Sequence, residues 1–490
     1  MTKKIGVIGG GFSGLSTASY LAKAGYEVTL FEKNSTVGGR NRKFSEEGFT
    51  FEMGPSWYWM PEVFDNYFSD FGKNRSDYYE LTKLNPSFSI VYKNREKLDI
   101  PSEPEGLFDF FENIEKGAGA QFTSFMNDAK YKYDASMTNL ILKPGKSIFE
   151  FFEWSIMKDV FKLNLFSNFK KFVRKHFTDE RLTNLMDFPV LFLGSAPENT
   201  PALYSLMNYA GLMLGTWYPE NGMYRIIESM EDVAKQLGVK IHTDSEVSEI
   251  VISNDSISGL VSNENKYDFD AIIASGDYKH METLLPLKYR NYSDKYWDTR
   301  TLAPSSLIFF LGIDKKLPGI EHHTLFFDES LEKHTEQIYF DPKWPEKPLF
   351  YVCAPSKTDE KLAPENCENI FILIPIAAGI EDNNSIREYY YNIVIKRLEQ
   401  QINEPLKEHV IYKKSYCIND FKSDYHSYKG NAYGLANTLQ QTAILKPKLN
   451  NKKLKNLVYA GQLTVPGPGM PPALISGKLA ADEIIQLFKK

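Results

Sequence analysis

The chain has 490 residues, more than one hydrophobic core holds, so two or three domains are expected. Its formal charge of −6 argues against nucleic acid as a partner, and three cysteines, Cys353, Cys367 and Cys417, with no CxxC pair, indicate neither a disulfide framework nor a zinc site. Aromatic residues reach 14%, with 34 Phe and 29 Tyr, yet no apolar run has the roughly 18–20 residues of a membrane span, and "MTKK" leads directly into "IGVIGG" without a signal peptide, so a cytoplasmic location is expected.

Residues 4–8 read as a buried strand. Gly9, Gly11 and Gly14 follow as G-x-G-x-x-G, with Phe12 and Ser13 between them, and a helical pattern runs to Gly25. "EVTLFE" is the second strand and ends on Glu32, 23 positions after Gly9, with Lys33 beside it. Glycines in this setting let backbone N–H groups approach a pyrophosphate at a helix N-terminus, and the terminal acid accepts hydrogen bonds from a ribose. A dinucleotide is therefore expected. Gly38-Gly39-Arg40 stands directly after the second strand, and "FEMGPS", with Gly54, Pro55 and Ser56, follows at 51–56.

Further along, "SFSIVYKNREKLDIP" alternates like a hairpin turning at Lys93-Asn94-Arg95, and residues 105 to about 230 are largely helical in pattern. A helix over 224–237 ending at Gly238, strands at 239–243, 247–252 and 257–261, and a buried strand within 267–278 return the chain to α/β character. From 300 to 425, aromatic and β-branched runs alternate with turns and predict an antiparallel sheet. His322 and His323 are adjacent, and adjacent strand residues face opposite sides, so a structural role is expected and no metal site. The C-terminal segments are "KGNAYGLANTLQQTAILKP" (429–447) and "LVYAGQLTVPGPGMPPALISGKLAA" (457–481). In the second, prolines and glycines are dense, and Pro471 or Pro472 suits the first turn of a helix beginning near Ala473.

The glycine motif, the Gly38-Gly39-Arg40 triplet, "FEMGPS" and both C-terminal segments together resemble the carotenoid desaturases, a bacterial phytoene desaturase in particular, within the amine oxidase superfamily of flavin oxidoreductases. The resemblance runs from end to end and is weakest over 120–220. It implies FAD as cofactor, with Arg40 and nearby backbone on the diphosphate and residues 54–56 beside the isoalloxazine. It also implies the backbone of Val247 at the adenine, Gly461 and Gln462 at the ribityl chain, and Gly469, Met470 and Pro471 at the flavin edge. Glu52 stands where the family has Asp, which puts a direct role for that carboxylate in doubt.

The implied fold is α/β. A Rossmann-type FAD domain is assembled from 1–85, 222–290 and 425–490, an antiparallel-sheet substrate domain from 86–104 and 291–424, and a helical, aromatic-rich, membrane-associating insertion from 105–221. The implied activity is introduction of double bonds into a long polyene by hydride transfer to the flavin, with oxygen or quinone as final acceptor. Alternatives are 3,4-desaturation of hydroxylated carotenoids, a flavin-dependent carotenoid isomerase, an amine oxidase-like enzyme, or a flavin or lipid carrier. The residues single out no proton acceptor.

"FFEWSIMKDVFKLNLFSNFKKFVRKHF" (151–177) places Trp154, Met157, Phe161, Leu165, Phe169 and Phe172 on one helical face flanked by lysines and arginine. A basic amphipathic helix of this kind lies in a membrane interface, so peripheral membrane contact is expected. The other reading of the stripe is packing on the core.

Overall fold

A computed structural model describes residues 2–147, 150, 167–192, 194–438 and 440–489. Trp154, Met157, Phe161 and Leu165 of the expected amphipathic face lie outside the described residues.

The N-terminal strand Lys4–Ile8 is buried on both faces after its first residue, which is why it reads as a continuous apolar run. It is the middle of a five-stranded sheet in the order Leu457–Tyr459, Ala271–Ala274, Lys4–Ile8, Glu27–Phe31, Lys240–His242. All four pairings are parallel. Helices Phe12–Lys23 and Met470–Lys489 meet through buried hydroxyls: Ser16 Oγ donates to the Leu474 carbonyl at 2.8 Å and Thr17 Oγ1 to that of Gly477 at 2.9 Å. Any Cβ at Gly477 would lie 2.4 Å from the Ser13 carbonyl oxygen, so the contact needs glycine. An antiparallel meander, Val247–Ser253, Ser256–Ser262 and Asn265–Asp268, shares a separate core with Ile8, Phe31 and Ile272.

The second large sheet has seven strands in the order Val410–Tyr416, Ser305–Ile313, Glu368–Ile376, Phe350–Cys353, His323–Phe326, Phe88–Val91, Lys97–Ile100. It is mixed, not purely antiparallel as expected. The hairpin Phe88–Ile100 arrives from a distant part of the chain, and Phe88–Val91 docks parallel to His323–Phe326. Strand alternation divides the two faces. Leu307, Phe309 and Leu311 pack with Tyr391, Val394 and Leu398 of helix Asn384–Ile402, while Ile308 and Phe310 join the main core on the other side. Sequence reading took that helix for strands because of its Tyr and Ile content. Its buried Tyr391, Val394, Ile395, Leu398 and Ile402 recur at helical spacing, and Asn383 caps it by accepting the Ile386 N–H at 3.0 Å.

Residues 104–192 contribute helices Pro104–Ile114, Ala118–Ala135, Phe169–Val173 and Glu180–Phe192. Phe169, expected on the membrane-facing stripe, is fully buried, and Phe172 packs on Phe125 with ring centroids 5.1 Å apart. The basic flank here is ion-paired, Lys170 with Glu198 and Glu332, Arg174 with Asp187. This end of the stripe is core: Phe169 is buried, and Phe172 packs against Phe125 of helix Ala118–Ala135. Among the described residues no helix is long and apolar enough to cross a membrane.

Candidate functional site

At the end of the first strand, Gly9 takes φ +99° and donates its N–H to the Phe31 carbonyl at 2.8 Å. A Cβ on Gly14 would sit 1.9 Å from the Gly9 carbonyl oxygen, so the third glycine is fixed by contact of backbone with backbone. Gly11 caps helix Phe12–Lys23 with no side-chain acceptor, which leaves the first amides of a twelve-residue helix to a ligand. Glu32 is buried and holds the loop: its carboxylate accepts Gly10 N–H at 2.8 Å, Asn34 N–H at 2.9 Å and Asn34 Nδ2 at 2.8 Å.

Gly38 (φ +123°) donates to the Gly10 carbonyl at 2.8 Å, and a Cβ on Gly39 would meet Gly11 Cα at 3.2 Å, so the two glycine turns pass in contact. Arg40 is held by Ser427 Oγ at 3.2 Å and the Asn431 carbonyl at 3.3 Å, with its guanidinium 5.2 Å from the Tyr425 ring centroid. Its Nε is buried without a partner among the described residues. Burial pulls Arg40 below its ordinary range, with Asp277 opposing that shift, and pushes the Asp277 carboxyl upward. A buried cation beside unused helix amides is a site for an anion.

On the C-terminal side, Gly461 takes φ +113° and its N–H is received by Ser476 Oγ at 3.0 Å. Gly467 and Gly469 have φ of +143° and +113°. The last helix starts at Met470, three residues before the expected start, so both Pro471 and Pro472 lie in its first turn, where their missing N–H groups remove no helical bond.

These segments open into one cavity of about 460 Å³. Every cofactor-binding position expected from sequence lines it except Gly14, which lies behind the loop it shapes. The same cavity continues into a chamber walled by Trp57, Trp59, Phe188, Phe327, Leu349 and Phe371. Sequence reading missed these walls and missed the cover over the other end. There His426 stacks on His280 with centroids 3.9 Å apart and binds Glu246 at 2.7 Å through Nε2. Arg42 pairs with Asp424 on the same cover. The nearest local signal for it was the aromatic and acidic run 420–428.

Glu52 does not line the cavity. Its Oε1 accepts the Tyr224 N–H at 3.1 Å at the start of helix Tyr224–Gln236, and burial pushes its pKa up to about 7. The Glu52 carboxylate thus serves a helix start rather than the cavity.

His322 and His323 do not face opposite ways. His322 precedes the strand, which begins at His323, so alternation does not govern it. Both are buried with ring centroids 4.5 Å apart, and a ligand-type atom of each lies within 4.8 Å of the other and of buried Cys353.

The flavin-containing amine oxidoreductase profile matches residues 12–485. The chain belongs to this family. It is 35% identical to a carotenoid 3,4-desaturase of Haloarcula japonica over 98% of this chain and 97% of that protein. It is 29% identical to a Staphylococcus aureus 4,4'-diapophytoene desaturase (4,4'-diaponeurosporene-forming) over 99% of each. An oxidoreductase structure from Methanosarcina mazei superposes with a TM-score of 0.64 at 17% identity, covering 99% of this chain and 100% of that one. The cofactor of this amine oxidoreductase is FAD, and the site fits it. Open helix amides and the buried Arg40 suit a diphosphate, paired glycine turns leave little room for any Cβ, and Glu32 lies on the wall of the same cleft.

Proposed function

We propose that this amine oxidoreductase is an FAD-dependent carotenoid desaturase that introduces double bonds into a long polyene. The observation that carries this reading is the single cavity in which the glycine-built cleft runs into an aromatic chamber. Two relatives aligned over nearly the whole chain are both carotenoid desaturases, which supports it. When bound, the flavin supplies the two-electron acceptor for a hydride taken from carbon.

The chain's own residues bind, orient and exclude water. Gly9, Gly11, Gly38 and Gly39 bring the backbone against the cofactor, and Arg40 sets a buried positive charge at its diphosphate. Val247 would take the adenine end, Gly461 and Gln462 the ribityl chain, and residues 54–56 with Gly469, Met470 and Pro471 the isoalloxazine end. The start of helix Met470–Lys489, beside Met470 and Pro471, favours negative charge there by about 0.3–1 kcal/mol, up to about 2 when partly buried. The chamber's rings orient a hydrocarbon by packing, since an alkyl chain offers no hydrogen bonds. We divide the chain as the sequence suggested, with FAD held by 1–85, 222–290 and 425–490.

Membrane contact belongs to this reading, because a polyene gains about 0.8 kcal/mol per methylene by staying out of water. With Phe169 in the core, the proposed contact is confined to the sequence 151–166, which carries Trp154, Phe161, Lys158 and Lys162. Deletion of that segment is expected to abolish flotation with anionic liposomes while flavin stays bound. Continued flotation removes the segment from the membrane.

The decisive experiment is anaerobic addition of phytoene, and separately of a 3,4-saturated carotenoid, to the yellow protein. Bleaching of the flavin with one new double bond per flavin supports desaturation, and the preferred substrate identifies the bond. Absence of bleaching with both returns the protein to the carrier or amine oxidase readings. The 3,4-saturated arm is included because the relative at 35% identity is a 3,4-desaturase.

A further inference from the structure

Removing a hydride from a hydrocarbon leaves a proton that must depart from a water-excluding chamber. Three polar groups on the chamber wall invite comparison. His334 is saturated: its Nε2 lies 2.8 Å from the Pro375 carbonyl, and its Nδ1 accepts the Leu349 N–H at 2.9 Å. The Tyr339 hydroxyl is buried and has no partner among the described residues that would carry a proton away. Tyr351 differs from both, because its hydroxyl is the first member of a series that leads outward.

Tyr351 OH donates to Ser56 Oγ at 2.9 Å, also on the chamber wall, and lies 2.6 Å from His323 Nδ1, so its one proton can turn from the serine to the imidazole. Trp57 holds the His323 ring in a parallel stack at 4.0 Å and 11°. His323 and His322 are fully sequestered, yet the Nε2 of each lacks a partner among the described residues. Their rings are 4.5 Å apart, and ligand-type atoms of the two, with Cys353 Sγ, fall within 4.8 Å of one another. His322 Nδ1 then lies 2.7 Å from Thr358 Oγ1, and Thr358 is only half-buried. Two imidazoles this close, each with an orphaned Nε2, are complementary if one presents N–H and the other a lone pair. With the Tyr351 proton turned from Ser56 Oγ to His323 Nδ1 and His322 donating from Nδ1 to Thr358, the two Nε2 atoms have those opposite roles.

We propose that Tyr351, His323, His322 and Thr358 form the route by which the substrate proton leaves the chamber, with Tyr351 as the group that receives it. The proposal rests on the desaturase reading. One substrate C–H bond breaks with its electron pair, which leaves as hydride to the bound flavin. The neighbouring carbon releases a proton to the Tyr351 oxygen as the Tyr351 proton moves to His323 Nδ1. The electrons of that second C–H bond become the new C=C bond. His323 releases its Nε2 proton toward His322, which passes its Nδ1 proton to Thr358 and solvent.

Burial drives both imidazoles well below their ordinary range and the Cys353 thiol upward, so all three are neutral. Neutral imidazoles relay a proton, whereas a neutral cluster offers a divalent cation no compensating charge. The titratable groups coupled to this cluster are Tyr351, Cys353, Tyr218, Glu52 and Tyr433.

The test is single-turnover flavin reduction by the carotenoid in H2O and D2O for wild type, Tyr351→Phe and Thr358→Val, with histidine-labelled NMR on the same substrate-free proteins. Wild type is expected to show a solvent isotope effect on reduction. Tyr351→Phe is expected to slow reduction by about a hundredfold, the scale of general acid–base catalysis, and to lose the isotope effect. It should retain flavin and the flavin potential, while the His323 nitrogen signals move. Should Tyr351→Phe fail to hold flavin, Thr358→Val decides, with a smaller slowing and the same loss of isotope effect expected. Wild-type rate and isotope effect in whichever variant holds flavin overturns the route. A wild-type protein that binds flavin and is never bleached by carotenoid overturns the desaturase reading itself, and this inference with it.

Discussion

The two ends of the cavity are made of different material. At the dinucleotide end the walls are main chain: Gly9, Gly11, Gly38 and Gly39 bring backbone against backbone, and a single Cβ is enough to fill the space. At the chamber end the walls include large aromatic and aliphatic side chains, among them Trp57, Trp59, Phe188, Phe327, Leu349 and Phe371. The first construction has almost no tolerance and serves one ligand. The second can be reshaped one side chain at a time.

The largest effect is expected where main chain meets main chain. Gly14→Ala places a methyl 1.9 Å from the Gly9 carbonyl oxygen, and neither atom belongs to a flexible side chain. Overpacking of a well-packed core costs about 1–3 kcal/mol where side chains and backbone can shift, and this backbone-to-backbone contact should exceed that. The purified variant is expected to be colourless or insoluble. Leu373→Phe, a comparable increase in bulk on the half-buried chamber wall, should leave the protein yellow and change only the products. Absorbance at the flavin band per mole of protein, measured on both, checks the contrast, and equal flavin content would erase it.

Next in size is a buried cation behind the C-terminal turn. Lys446 is 2% exposed, its Nζ has no partner among the described residues, and it would lie 3.2 Å from a Cβ on Gly467. Burial pulls its pKa down to about 7. The folded state therefore binds fewer protons than the unfolded one between pH 7 and the ordinary lysine range, and stability rises with pH across that window. Lys446→Met is expected to be more stable than wild type at pH 7 by a few kcal/mol, with the advantage shrinking toward pH 10. Denaturant unfolding at both pH values measures it, and a pH-independent difference would mean the amine is charged and paired.

Glu52 gives the opposite sign and a smaller amplitude. Burial raises its pKa to about 7, so the folded state binds more protons above the ordinary carboxyl range and stability falls as pH rises from about 4.5 to 7. Glu52→Gln should gain up to about 3 kcal/mol on wild type at pH 8, and should lose that gain at pH 4.5. Because Glu52 holds the start of helix Tyr224–Gln236 and not the cavity, the flavin spectrum should not move. A spectral shift would bring this carboxylate back to the cofactor.

The same contrast explains what was legible in the sequence. The dinucleotide end is local: residues 4–40 contain a strand, three glycines at fixed spacing, a helix, a strand, an acid and a second glycine turn, and each has a steric reason at its own position. The C-terminal proline and glycine run was legible for the same reason, although its helix starts at Met470 and not near Ala473. The chamber was not, because Trp57, Phe188, Phe327 and Phe371 come from a loop, a helix, a strand end and a strand far apart in the chain, and an aromatic residue looks the same in a core as in a wall. His322 shows the limit of alternation rules, since one residue before a strand the rule no longer applies. Phe169 shows the limit of helical stripes, since periodicity identifies a covered face without saying what covers it.

Glu32 tests the dinucleotide end at its smallest expected effect. The sequence assigned this acid to a ribose, and the structure adds a second duty, because its carboxylate already binds Gly10 N–H, Asn34 N–H and the Asn34 amide. A carboxylate has about four lone-pair positions, so three internal bonds leave one for a ribose hydroxyl. Glu32→Ala should therefore weaken FAD binding by about 1.5–3 kcal/mol through the lost charged acceptor, and should also lower stability without FAD because Gly10 N–H is left buried and unpaired. Glu32→Gln separates the two. Its amide oxygen can still accept Gly10 N–H, so stability without FAD should return toward wild type while FAD affinity stays low. Affinity measured by flavin fluorescence quenching and unfolding measured without FAD give both numbers on each variant. If Glu32→Gln restores affinity together with stability, the carboxylate acts only by holding the glycine turn, and the ribose is bound by backbone like the rest of this end of the cavity.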